Sequence, residues 1–340
     1  LRVGPQSAGA DPGPAAYGKR GGVHPTVTDA NLLTGRLNPE YFLGGAMRLD
    51  TRRACRAFEG LGEELGLDVN QTVRGVLRIA GANMINALRI ISVQRGHDPR
   101  DFALFAMGGG GPLHAPYLAR ELHIGTVVIP VAPGHFSAVG MLNTDLRRDF
   151  IRTVLLRTDR TISFELEGAF AGLEDQAIHE YAFDGVSASS LRFTREADMR
   201  YRGQEHAVPV AVPEGAIDEK SLRILEECFH KAHRRKYSFR LQSAIEIVNV
   251  HVVAYGPMRK PKRKPLHPRL VESPRIGTRP LWFEDEGVIT ADVYRRNELG
   301  PGRLIQGPAV IEESASVTLV YPGMTLQVHD FGELIIETNA

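Results

Sequence analysis

The stretch Phe102-Ala103-Leu104-Phe105-Ala106-Met107-Gly108-Gly109-Gly110-Gly111-Pro112-Leu113-His114-Ala115 decides how this chain is read. An apolar run enters a glycine run, and Pro112 then opens a helical pattern with Leu113, Ala115, Leu118, Ala119 and Leu122 on one face. Glycine accepts positive φ and lets a ligand approach without meeting a Cβ, while the free N–H groups and dipole of a helix start favour an anion. Gly108, Gly109, Gly110 and Gly111 are therefore the candidate ligand contact, and a tight strand-to-helix turn without a ligand is the alternative.

Outward from this junction, the spacing predicts a helix from about Asp68, its cap, to Arg95, with Val69, Val73, Val76, Ala80, Met84, Leu88 and Ile91 recurring at three and four residue steps. An earlier helix spans the low 50s to Leu65, and a strand covers Thr126 to Ile129 after Gly125. Helix, strand, helix and strand around a glycine turn predict an α/β fold. The first fifty residues are rich in turn formers, with a β-like run at Pro25-Thr26-Val27-Thr28-Asp29. Beyond Arg148 the texture changes: Arg192 to Tyr201 and Ala207 to Val212 alternate as an antiparallel pair, and Asp218 caps a helix carrying Leu222, Leu225, Cys228, Phe229 and Ala232. A strand at Ala244 to Tyr255 precedes a proline and lysine linker, and the last seventy or so residues read as short strands separated by Pro-Gly and Phe-Gly turns.

At 340 residues the chain has room for two or three cores. Its 41 Lys and Arg balance 40 Asp and Glu, so no global charge draws it to nucleic acid. Arg259-Lys260-Pro261-Lys262-Arg263-Lys264-Pro265 lacks interleaved aromatics and reads as a stiff linker. Cys55 and Cys228 form neither a CxxC pair nor a disulfide framework, which suits a reducing cytoplasm. No apolar run approaches membrane-spanning length, so no membrane association is expected. The chain begins at Leu1 inside a Gly, Pro and Ala rich loop, and it is expected to be the C-terminal part of something longer.

The glycine run is not a common phosphate loop. A P-loop needs Lys and Ser or Thr after its last glycine, where Pro112 and Leu113 stand, and a Rossmann fingerprint needs a glycine at Leu113 or His114. It can still cover the adenosine side of a nucleotide whose phosphates are held elsewhere. His114 sits one turn into the helix, within reach of a phosphate or a polarised carbonyl, and is a candidate catalytic group. Asp29 closes the β-like run where open α/β sheets place ligand groups, and is a second candidate; an ordinary cap of the following turn is its alternative. His230 and His233 are spaced to share a metal but lack a third ligand on their helix, so a solvated face is expected. Ser7 and Ser137 lack the glycine pattern of a nucleophile elbow.

Five stretches taken in order carry a resemblance: Gly4-Pro5-Gln6-Ser7-Ala8-Gly9-Ala10-Asp11-Pro12-Gly13-Pro14, Pro25 to Asn31, Asp98-Pro99-Arg100-Asp101-Phe102, the glycine run with Pro112-Leu113-His114-Ala115, and Gly307-Pro308-Ala309-Val310-Ile311. Together they resemble the hydantoinase A / 5-oxoprolinase family, in its N-methylhydantoinase A branch. The resemblance implies the second lobe of an actin-like, sugar-kinase-like ATPase with a ribonuclease-H-like sheet, followed by an α+β and a β-rich C-terminal part. It implies these boundaries: 1–147 for the ATPase-like part, 148–258 for the α+β part, 259–279 for a basic linker and 280–340 for the β-rich part.

The chemistry so implied is ATP-dependent hydrolysis of a small cyclic amide or imide, such as a hydantoin or 5-oxoproline. ATP phosphorylates the carbonyl oxygen and Mg²⁺ stabilises the transferred group; a further divalent metal is left open. A ketone carboxylase subunit is the alternative, and a docking module over residues 148–340 is another. The partners implied are a hydantoinase B type subunit and an N-terminal ATPase lobe carrying the phosphate loops, so this chain alone is expected to be inactive and to bind nucleotide weakly. Two departures stand out: Ala16 replaces a cysteine common in relatives, and Ser238 replaces a usual glycine. The resemblance gives no function to Tyr201-Arg202-Gly203-Gln204.

Overall fold

A computed structural model describes residues 1–266 and 274–339. The chain divides into two compact units, one of residues 1–140 with 262–340 and the other of residues 141–261. The linker expected at 259–279 therefore straddles a boundary, and its residues 267–273 lie outside the described residues.

The first unit opens with helices α1 (Val27–Leu33), α2 (Thr51–Leu65) and α3 (Val69–Ile91). Strand β1 (Leu104–Phe105), helix α4 (Gly111–Glu121) and strand β2 (Thr126–Ile129) follow, then the short α5 (Phe136–Leu142). The β-like reading of Pro25 to Asp29 is overturned. Three β-branched residues suggest a strand, but Thr26 is an N-cap and Asp29 sits at N3, and their reciprocal capping box starts α1 instead. Asp68 and Gln71 cap α3 in the same way. By length and composition Val69–Arg95 is long enough to cross a membrane, which corrects the reading that no run approaches that length. Its Val73, Val76 and Leu77 are buried with Phe58 and Trp282, as in an amphipathic core helix.

The second unit holds β3 (Leu146–Arg157), α6 (Ser163–Phe183), β4 (Arg192–Tyr201), β5 (Val208–Ala211), α7 (Glu219–Tyr237) and β6 (Ile245–Gly256). Its strands make one antiparallel sheet in the order β3-β6-β4-β5. Phe170, Leu173, Leu225 and Phe229 of the helices share a core with Ala197, Met199, Val250 and Val252 of the sheet.

The chain then returns to the first unit through β7 (Arg275–Phe283), β8 (Gly287–Arg295), β9 (Leu304–Gln306), β10 (Ala309–Glu312), β11 (Val317–Val320), β12 (Thr325–Val328) and β13 (Leu334–Glu337). These strands do not form the separate β-rich part expected at 280–340. β13 pairs with β2, with Ile336 opposite Val127, giving a sheet ordered β1-β2-β13-β12-β9; a second sheet runs β11-β10-β8-β7. The physical reason is burial: Val127 and Ile129 share one core with Leu326, Val328, Leu334 and Ile336, and neither set covers its apolar face alone.

Two contacts fix the late strands to α1. Trp282 N–H donates to Thr34 O at 3.1 Å, and a Cβ on Gly35, which has φ +77°, would stand 2.3 Å from Pro280 O, so only glycine fits. The buried Arg36 guanidinium then donates to Trp282 O, to Glu284 Oε1 at 2.7 Å and to the Tyr321 hydroxyl.

Candidate functional site

The glycine turn is built as a strand exit against β2. Ala106 N–H donates to Val128 O, Gly108 N–H donates to Pro133 O at 2.8 Å, and Gly110 caps α4. Only Gly108 in the run has positive φ, +84°, while Gly109 earns its place by closeness: an added Cβ would stand 3.2 Å from Ala315 O. At Gly108 and Gly110 an added Cβ would meet open space, so that side of the turn is free for a ligand.

Behind the turn lies a cavity of about 370 Å³. Gly109, Gly110, Leu113 and His114 line one wall, Val27, Thr28, Asn31 and Asn38 a second, and Glu312 to Val317 a third, with Tyr17, Tyr41 and Phe42 at its apolar end. Among the expected residues, the geometry thus brings Gly109, Gly110 and His114 together. Gly108 and Gly111 do not line the cavity, and neither does Asp29.

Asp29 is wholly buried and its carboxylate is filled. It accepts from Ala15 N–H, Ala16 N–H at 2.7 Å, Thr26 N–H and the Thr26 hydroxyl. These bonds tie the Ala15–Tyr17 turn to the start of α1, so the structure gives Asp29 the task of a cap. Ala16 is the backbone donor in the shortest bond from this turn.

Asn31, two residues on, is the residue that sequence reasoning passed over. It is 2% exposed, and its Nδ2 donates to Val27 O at 2.9 Å and approaches His114 Nε2 at 3.5 Å. The bond to Val27 O fixes which end of the amide is Nδ2. The other end, Oδ1, is buried and has no hydrogen-bond partner among the described residues. Burial, with the Arg36 charge adding to it and Glu284 opposing, lowers the His114 pKa from the ordinary 6.5 to about 4, so the imidazole is neutral at pH 7.

Among the described residues the lining holds no Lys or Arg. Its two carboxylates are spoken for: Glu312 accepts from Arg279 at 2.8 Å, and Glu313 accepts from Arg296 and from the Ser316 hydroxyl at 2.6 Å. The cavity therefore suits an uncharged molecule. It does not suit a triphosphate, and it offers no free carboxylate set to Mg²⁺. Among the described residues no cluster of three or more His, Cys, Asp or Glu is placed to hold a metal.

The unassigned Tyr201-Arg202-Gly203-Gln204 motif has a structural account. Tyr201 OH and His230 Nδ1 share a 2.7 Å hydrogen bond, Gln204 Oε1 lies 3.2 Å from His233 Nε2, and His233 Nδ1 lies 3.1 Å from Phe239 O. His233 is wholly buried, with Tyr201, Phe229, Tyr237 and Phe239 around its ring, so it is not the solvated residue expected from spacing. The motif clamps the end of α7 to β4. Ser238 closes that helix with φ +69°, keeping the glycine turn without the glycine.

A family model described as hydantoinase/oxoprolinase matches residues 1–150, and one described as hydantoinase/oxoprolinase C-terminal domain matches residues 157–335. The chain belongs to the hydantoinase/oxoprolinase family. An uncharacterised protein of Methanocaldococcus jannaschii is 38% identical over 99% of this chain and 48% of its own length. The alpha subunit of caprolactamase from Pseudomonas jessenii is 36% identical over 95% of this chain and 47% of its own. Among solved structures, nucleotide-free acetone carboxylase, described as a catalyst of ATP-dependent acetone carboxylation, superposes with a TM-score of 0.83 at 26% identity over 99% of this chain and 49% of that one. The mixed α/β fold with several sheets is shared with it. The chain spans about half the length of these relatives.

Proposed function

We propose that this chain is part of an ATP-dependent hydrolase that opens a cyclic amide or imide of the hydantoin, N-methylhydantoin or 5-oxoproline type. The carrying observation is the cavity behind the glycine turn, faced by a neutral His114, lined without a cation among the described residues, and with its two carboxylates, Glu312 and Glu313, each paired to an arginine. A lactam or imide ring is neutral, compact and partly apolar, and such a cavity takes it without the penalty of burying a charge.

ATP, when bound, supplies the phosphoryl group that turns the ring carbonyl oxygen into a group water can displace. This chain's contribution is to hold the ring among Tyr17, Tyr41, Phe42 and Leu113, to keep water from it, and to offer the open outer side of Gly108 and Gly110 to the adenosine side of the nucleotide. The triphosphate and Mg²⁺ belong to the portion that relatives carry beyond this chain's span, in an actin-like ATPase arrangement. A hydantoinase B type subunit is the proposed partner, and a reducing cytoplasm suits the two free cysteines.

The likeness to acetone carboxylase favours a second reading, in which ATP drives carboxylation of a ketone. Product analysis on the assembled enzyme separates them. ATP-dependent ring opening of a lactam or hydantoin supports the hydrolase, and bicarbonate-dependent consumption of a ketone with no ring opening overturns it.

A further inference from the structure

We infer that His114 binds the carbonyl oxygen of the substrate through its Nδ1–H, and that Asn31 is the positioning residue that keeps the proton on that nitrogen, an assignment that rests on reading the cavity as the substrate site, whether ring opening or ketone carboxylation follows.

A neutral imidazole has one donor and one acceptor nitrogen, and the bond made by one fixes the role of the other. Toward His114 the Asn31 amide can only donate. One hydrogen of its Nδ2 goes to Val27 O at 2.9 Å, and the second is left for His114 Nε2 at 3.5 Å. Two N–H groups facing each other would repel, so Nε2 carries the lone pair and Nδ1 carries the hydrogen. Nδ1 is also the nitrogen that a ligand can reach. No partner holds it among the described residues, yet the buried polar atoms without a partner include none of His114. The unbonded Nδ1 therefore keeps open surface, on a residue that is partly exposed and lines the cavity. The carboxylates across the cavity, Glu312 and Glu313, only accept and are paired to arginines, so they offer a carbonyl oxygen nothing. A lactam, an imide and a ketone all carry the acceptor that Nδ1–H requires.

Histidine side-chain nitrogen NMR on the isotope-labelled 340-residue chain at pH 7 tests this with caprolactam and cyclohexanone as probes. The expected spectrum has His114 protonated on Nδ1 and bare on Nε2, and the Nδ1 signal moves as at least one of the two rings is added. His114→Leu is expected to weaken binding of that ring about tenfold, the worth of one hydrogen bond, whereas His114→Asn, whose amide N–H falls near the place of Nδ1, keeps it within about threefold. Asn31→Leu is expected to let the proton move to Nε2 and to weaken ring binding with it. Circular dichroism checks that each variant folds; where one does not, the proton position and the ring-induced shift in the unaltered chain decide alone. A proton resident on Nε2, no shift of Nδ1 with either ring, or undiminished ring binding by folded His114→Leu overturns the assignment.

Ring opening by the assembled enzyme is read separately. Opening of a lactam at unchanged rate and KM in His114→Leu removes the role of His114 and leaves the hydrolase standing. An Nδ1–H that binds a ring the assembled enzyme does not open removes the hydrolase and leaves His114 as the carbonyl donor.

Discussion

Two histidine sites in this protein differ in what their neighbours do. In the first unit, His114 and Asn31 border a cavity, and Asn31 Oδ1 stays unpaired. In the second, His230 and His233 meet Tyr201, Gln204 and the Phe239 carbonyl, and those ring nitrogens that face the fold are bonded. The difference separates a site from a joint. Buried polar groups that satisfy one another hold elements together, while a neutral histidine bordering an open cavity is placed to meet a ligand.

The sharpest way to break this comparison is at the joint. His233→Ala removes a wholly buried ring bonded at both nitrogens, and about 3 to 4 kcal/mol of stability should go with it. Urea unfolding measures the loss; ring binding in the first unit should not change. Asp29→Ala comes next, because it strands four donors around a buried carboxylate site, and a loss of about 3 kcal/mol is expected by the same method. A smaller loss than that of an ordinary surface cap would return Asp29 to the catalytic candidates.

His114 sharpens the contrast through pH. Its folded pKa, about 4, lies below the ordinary 6.5, so the unfolded chain binds the extra proton first. The stability this site contributes is complete above pH 6.5 and declines as pH falls from 6.5 toward 4, by up to about 3 kcal/mol. His114→Gln should flatten that part of the stability profile. The smallest expected effect is a gain: Ser238→Gly relieves a serine at φ +69° and should add about 1 kcal/mol.

Much of the first unit was legible in sequence because its signals are local. Asp68 and the three and four residue steps behind it mark α3, and the glycine run marks the strand-to-helix junction. Local signals also misled, since Thr26, Val27 and Thr28 look like a strand until Asp29 is recognised as the second half of a capping box. The Thr26-x-x-Asp29 spacing was the cue that could have found α1, and with it the face that carries Asn31. What no local pattern could carry is the third wall of the cavity. Glu312 to Val317 spans the β10–β11 hairpin, some two hundred residues on in the chain, and meets the glycine turn at Ala315 O, 3.2 Å from where a Cβ on Gly109 would stand. The pairing of Gln204 with His233, 29 residues apart, is likewise invisible to local spacing.

Hydrogen exchange on the 340-residue chain, with and without a saturating N–H lactam, tests the central claim most directly. The account predicts added protection at residues 109–114 and 312–317 and none at 201–204 or 230–239. No protection around the glycine turn, or equal protection at both histidine sites, would contradict it.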